Sequence, residues 1–268
     1  MTLSLLSDII DAQAERGRLA LGIYLVPGFP DWDTSLEALS LCLSQGVDFI
    51  EFPAISDPPR PKAQANQTPR WSPRTGPAIA RALRDAEPYS EARATAWLLR
   101  APVRVAVVYE SAWPSAEVWS APPSLRAGVC GYLFETDPPD IAPYTLAAAE
   151  DAAVIIPAVD ATTVGLSAAD RRIISGGGGF VYASLGPKTG ARTASLTDLR
   201  RKRDEIRLVR PDLPVCAAFG INQAADVEEL RGRGGCEGVI IGSAALAKLD
   251  EGIAAFTGWL KEIITAAK

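Results

Sequence analysis

Eight short apolar runs recur along this chain, and stretches of helical periodicity lie between them. The runs are Leu19–Val26, Phe49–Phe52, Val103–Tyr109, Gly131–Phe134, Val154–Ala158, Phe180–Ala183, Pro214–Phe219 and Gly238–Ile241. They are rich in Val and Ile and mostly unbroken by polar residues, the pattern of parallel strands covered on both faces. The intervening segments, such as Thr34–Gln45, Ile79–Ala86, Ser195–Arg210 and Gln223–Arg231, carry the spacing of amphipathic helices. Eight βα repeats predict a closed ring, so the expected fold class is α/β, a single (β/α)8 TIM barrel. A helix over Leu3–Arg16 precedes the first strand, and Ile253–Ala267 forms a last amphipathic helix. At 268 residues and 48% hydrophobic content, one barrel domain spanning 1–268 is the expected organisation.

Several kinds of chemistry are excluded by composition. The chain has no histidine, which removes Ser-His and Cys-His nucleophiles, an imidazole base and histidine-dependent metal sites. No Asp/Glu cluster has metal spacing, so neither a metal nor a cofactor is expected. A net charge of −5 with no basic stripe argues against nucleic acid. No segment approaches the roughly 20 apolar residues of a membrane span, and Asp8 and Asp11 interrupt the start in a way a signal peptide does not. Cys42, Cys130, Cys216 and Cys236 are dispersed without a CxxC, as expected of buried free thiols in a cytoplasmic protein. The expected partner is a small molecule.

In such a barrel the chemistry sits at the C-terminal ends of the strands. Thr189-Gly190, Phe219-Gly220-Ile221-Asn222 and Gly242-Ser243 follow the sixth, seventh and eighth strands, and the last pair opens a helical segment Ala244–Lys248. Glycine lets backbone N–H groups approach an anion, and a helix N-terminus adds its positive end. Three such donors, at about 1.5 to 3 kcal/mol each, suffice to hold a phosphate monoester. A phosphorylated small-molecule substrate follows, with Lys188 either adding charge to the phosphate or pointing to water. Ser175–Gly179 lies before a strand, on the opposite face, and reads as a flexible connection.

Glu51 interrupts the apolar run Val47–Ile55, and a buried carboxylate without a partner is costly. It is either salt-bridged or a general acid/base with a raised pKa. Tyr24, Tyr109, Tyr182 and Phe219, at strand ends, are candidates for an aromatic substrate pocket or for core packing. Asp57 begins the loop after the second strand, where its carboxylate can serve backbone donors, and Glu135 is a candidate acid by strand position. Pro58–Pro77 holds six prolines and four cations and predicts a long loop over the barrel mouth. Ser111–Pro123 is also proline-rich.

Four segments, VPGFPDWDTSLEAL (Val26–Leu39), FIEFPAISDP (Phe49–Pro58), YASLGPKTGAR (Tyr182–Arg192) and AFGIN…VIIGSA (Ala218–Ala244), resemble the tryptophan synthase α subunit family over nearly the whole chain. The resemblance implies a carbon–carbon lyase acting on indole-3-glycerol phosphate. It further implies Glu51 as general acid/base, and phosphate held by Gly190, Gly220, Gly242 and Ser243. A tryptophan synthase β-like subunit is the implied protein partner, docked weakly here because the loop after the second strand is rebuilt. There the family reads approximately SDPxADGPxIQ, whereas Ser56–Gln64 reads SDPPRPKAQ. Pro59, Pro61 or a nearby cation stands where the family has the Asp that engages the indole N–H. Val26 replaces a Thr, Thr136 an Asp, Lys188 a small apolar residue, and Phe52 the Gly that usually follows the catalytic Glu. Three readings stay open: a lyase with an altered site, a paralogue acting on another phosphorylated molecule, and a non-catalytic regulatory partner of a β-like subunit.

Overall fold

The structure is a computed structural model that describes residues 5–54, 75–87, 91–108, 128–134 and 142–268. Asp57, Tyr109, Glu135, Thr136 and residues 58–74 and 111–123 lie outside these. From α1 (Leu5–Ala14), the chain enters β1 (Ala20–Tyr24), α2 (Trp32–Gln45), β2 (Phe49–Pro53), α3 (Pro77–Asp85), α4 (Glu91–Leu98), β3 (Arg104–Val108) and β4 (Val129–Phe134). It continues through α5 (Ala142–Glu150), β5 (Val154–Ile156), β6 (Ala158–Asp160), α6 (Ala168–Gly176), β7 (Val181–Ser184) and α7 (Leu196–Arg207). The last elements are β8 (Val215–Ala218), α8 (Ala224–Arg233), β9 (Gly238–Ile241), α9 (Ser243–Asp250) and α10 (Ile253–Ala267). The described strands are all parallel and run β5-β4-β3-β2-β1-β9-β8-β7-β6.

The eight expected strands are thus nine segments, because the fifth is cut at Pro157. Its first part pairs with β4 (Val154 to Gly131, Ile156 to Leu133) and its second with β7 (Ala158 to Tyr182, Asp160 to Ser184). Proline has no N–H to offer a ladder, while its carbonyl still accepts from Tyr182 N at 2.8 Å. The chain turns here from one neighbour to the other, and this step closes the ring.

Local signals set the helix ends. Asp31 caps α2 by accepting from Thr34 N at 2.8 Å, and Gly46, at φ +94°, ends it. Reciprocal capping boxes, Ser167 with Asp170 and Ser195 with Asp198, start α6 and α7. Among the described residues no helix is long and apolar enough to cross a membrane.

The N-terminal end of the barrel is sealed. Leu6 and Ile10 of α1 are fully buried across it, each contributing about 1.5 to 3 kcal/mol by leaving water. Ser7 Oγ donates to Gly179 O at 2.7 Å, and Gln13 Nε2 donates to Asp48 at 2.7 Å. Of the glycines in the connection expected to be flexible, Gly176 is exposed with open space around it, whereas a Cβ on Gly177 would lie 2.7 Å from Pro157 Cδ and one on Gly178 would lie 3.0 Å from Val154 Cγ1. Arg210 donates to the carbonyls of Ser175 and Gly177 at 3.3 and 3.2 Å, fixing that turn further. Glu237, also at this end, accepts from Val215 N at 2.8 Å and from Arg207 at 3.1 Å, and pairs with Arg203. Cys42, Cys216 and Cys236 are buried and Cys130 half-buried, all as free thiols.

Candidate active site at the C-terminal mouth

Strand order brings residues from across the sequence to one cavity at the other end. Tyr24, Glu51, Tyr182 and Phe219 line it together with Gly190, Gly220, Gly242 and Ser243. Lys188 is exposed at a loop tip and is not among the lining residues. Asp57 and Tyr109 lie outside the described residues. Val107, Leu133, Phe134, Ala158 and Ile240 complete the apolar wall, and as ordinary strand residues they gave no sequence signal beyond core.

Glu51 is one of these lining residues. It is 2% exposed, and its Oε1 is buried with no hydrogen-bond partner among the described residues. Burial raises its pKa from an ordinary 4.5 to about 8, since charging the carboxyl would forfeit hydration. At neutral pH it is therefore a neutral acid with a proton to give. Among the described lining residues it is the one carboxyl group. Tyr182 and Phe219 meet edge to face nearby, with ring centroids 5.9 Å apart.

Another part of the lining is built from backbone. Phe219 and Gly220 are consecutive left-handed residues, at φ +73° and +64°. For Phe219 that conformation costs about 1 to 3 kcal/mol. Gly220 has no substitute, because a Cβ there would lie 2.3 Å from Arg192 Cβ and 2.5 Å from Arg192 N. Gly190, at φ +83°, crosses from the β7 loop towards Ser243. Helix α9 starts at Gly242 without a side-chain cap, so its first N–H groups have no capping acceptor. Ser243 Oγ is buried there with no hydrogen-bond partner among the described residues. Helix α8 differs: Asp226 takes the N–H groups of Asn222 and Gln223 at 2.8 and 3.1 Å. Of the Phe219–Asn222 segment, Phe219, Gly220 and Ile221 therefore have N–H groups that Asp226 does not take. Positive dipole, amides left open by Asp226 and a hydroxyl without a described partner together suit an oxyanion. Among the described residues no cluster of three or more His, Cys, Asp or Glu could hold a metal ion.

Thr75 and Ile79 also line the cavity, and sequence reasoning missed them. Gly76 N donates to Thr189 Oγ1, joining the entry of α3 to the β7 loop. Gly76-Pro77-Ala78-Ile79 repeats the G-P-x-I of the family pattern further along the chain than Ser56–Gln64. The residue preceding that Gly-Pro pair is Thr75.

The family described as tryptophan synthase alpha chain matches residues 123–266. The tryptophan synthase alpha chain of Streptomyces avermitilis is 31% identical over 247 residues, covering 90% of this chain and 84% of that protein. That of Syntrophotalea carbinolica is 28% identical, covering 87% and 89%. In fold, the chain superposes on a structure of Mycobacterium tuberculosis tryptophan synthase with a TM-score of 0.76 at 23% identity, each chain covered to 99%. It superposes on the tryptophan synthase alpha chain of Legionella pneumophila with a TM-score of 0.69 at 17% identity, with 99% of this chain and 98% of that one covered. Profile, full-length relatives and barrel agree, and the chain belongs to the tryptophan synthase alpha chain family.

Proposed function

We propose that this protein is a carbon–carbon lyase of the tryptophan synthase α type. Its substrate is indole-3-glycerol phosphate or a related phosphorylated molecule, and Glu51 is its general acid/base. The observation that carries this reading is a buried carboxyl, its Oε1 without a hydrogen-bond partner among the described residues, in the same cavity as an uncapped helix N-terminus. The phosphate would be held by backbone N–H groups at Gly190, Gly220 and Gly242 and by the Ser243 hydroxyl. A planar ring would then lie against Tyr24, Tyr182 and Phe219. Neutral Glu51 gives its proton to the ring carbon that bears the side chain, and positive charge spreads to the ring nitrogen. The resulting carboxylate takes the proton of the adjacent hydroxyl, whose O–H electrons become the carbonyl bond. The ring–side chain bond breaks, its electrons restore the ring, and indole and a phosphorylated aldehyde leave. A positioned acid of this kind contributes about 10² to 10⁴ in rate.

Thr75 favours a second reading, a reaction on a different phosphorylated molecule. A hydroxyl offers no negative charge to a ring N–H that is becoming positive. The discriminating experiment supplies indole-3-glycerol phosphate and measures indole. Release by the wild type, abolished in Glu51→Gln, supports the lyase. Absence of indole together with tight binding of glycerol 3-phosphate supports the second reading and ends the first. The lyase reading also implies a β-like partner. Sedimentation with a tryptophan synthase β subunit tests it, and a weak complex is expected.

A further inference from the structure

The loop from Leu185 to Ser195, between β7 and α7, is fastened along both legs. Thr193 N and Ala194 N both donate to Leu185 O, at 2.8 and 2.9 Å, and Ala191 N donates to Lys188 O at 3.1 Å. The legs run so close that a Cβ on Gly186 would lie 2.2 Å from Ala191 O. The tip meets two other elements, through Thr189 Oγ1 at Gly76 N and through Gly190 at Ser243. The returning leg lies on the turn after β8, where Gly220 touches Arg192 backbone.

One side chain ties that leg down. Arg192 donates through Nε to Ala194 O at 3.2 Å, within the loop, and through Nη1 to Glu229 Oε2 at 3.1 Å, on α8. Helix α8 is the element that follows the Gly220 turn, so the guanidinium bridges the loop to the continuation of the surface it rests on. The two donors point in different directions from a rigid plane, which a lysine ammonium on a flexible stem would not reproduce. The Arg192 side chain is 20% exposed and the Glu229 side chain 43% exposed, so the pair is partly shielded from solvent.

We infer that Arg192 is a positioning residue for the anion site. Through Glu229 it seats the loop on Gly220, and so sets where Gly190 presents its N–H opposite Ser243. This rests on the proposed phosphate cradle. A loop seated only part of the time weakens apparent affinity by the seated fraction, and loops that bind ligands are drawn from the least stable parts of a fold. Neither Arg192 nor Glu229 lines the cavity, so both act on ligand through the loop alone.

Glu229→Gln removes the charge of the partner and leaves every lining residue in place. Two measurements follow: trypsin cleavage after exposed Lys188 without ligand, and the Kd for glycerol 3-phosphate by calorimetry. Both should rise about fivefold, the worth of one partly shielded ion pair, with Tm within about 2 °C of the wild type. Arg192→Glu should reproduce the loss, and the exchanged pair Arg192→Glu/Glu229→Arg should recover most of it. Unchanged cleavage and affinity in Glu229→Gln would overturn the inference, as would an exchanged pair no better than Arg192→Glu alone. Failure of the wild type to bind glycerol 3-phosphate would strike the cradle itself, and the cleavage series would still decide whether this ion pair seats the loop.

Discussion

Tyr24 on β1 and Glu51 on β2 are register partners in the parallel ladder, and both line the same cavity. The carboxyl therefore shares its cavity wall with an aromatic residue that is itself 3% exposed. Burial raises the folded pKa to about 8 from an ordinary 4.5, so between those values the native state keeps a proton that the unfolded chain has lost. The contribution to stability is present in full below about 4.5 and declines as pH rises towards 8, by up to about 1.4 kcal/mol per unit. Glu51→Gln should flatten this slope, matching the wild type near pH 4 and exceeding it at pH 8. Denaturant titrations at a series of pH values test this; parallel profiles would count against a neutral buried acid.

Gly220→Val places a Cβ where Arg192 already lies. The loop must lift, and affinity for glycerol 3-phosphate should fall by tenfold or more, the scale of losing one or two charge-assisted hydrogen bonds. Ser243→Ala should cost about fivefold in affinity without lowering Tm, because it deletes a buried hydroxyl with no described partner. Calorimetry with glycerol 3-phosphate reads both, and full affinity in Gly220→Val would remove the cradle.

Thr75→Asp should raise kcat/KM for indole release from indole-3-glycerol phosphate by about tenfold or more, since a carboxylate stabilises the developing ring charge. Thr75→Ala should not. Equal activity in both variants would mean that Thr75 does not face the ring.

Glu237→Ala strips Val215 N–H of its acceptor and leaves Arg203 and Arg207 without their shared carboxylate. A loss of about 2 to 4 kcal/mol of stability is expected, because a part-buried charge network is broken from one side. Ligand affinity should stay within twofold at temperatures where the variant is folded. An affinity change without destabilisation would contradict the separation between the sealed end and the mouth.

Much of this was legible in the chain because both signals are local. An apolar run names a strand, and the residues at its C-terminal end belong to the mouth by topology alone. Hence Glu51, Tyr24, Tyr182, Phe219 and the turns at Gly190, Gly220 and Gly242 were identified and do meet. What escaped depends on distant partners. The break at Pro157 is invisible in a continuous run and exists because two different strands claim its two halves. Helix α5 is alanine-rich with no distinct apolar stripe. Helix α6 carries a readable Ser167/Asp170 capping box at its start. The Ser175–Gly179 turn reads as flexible from its glycine content, whereas Gly177, Gly178 and Gly179 pack against Val154 or Pro157. Thr75 was missed because a proline-rich stretch separates it from the strand whose loop it completes.

The plug that α1 makes across the barrel floor has a consequence for how Glu51 meets solvent. Among the described residues, Leu6 and Ile10 are fully buried beneath the strands, and the cavity that Glu51 lines lies at the mouth. On the proposed lyase reading, a proton that Glu51 takes from bound substrate would exchange with a deuteron of the medium only while the mouth is open. Isotope in the released product would consequently count openings of the mouth per turnover, and so report on traffic through the barrel instead of on the speed of bond cleavage.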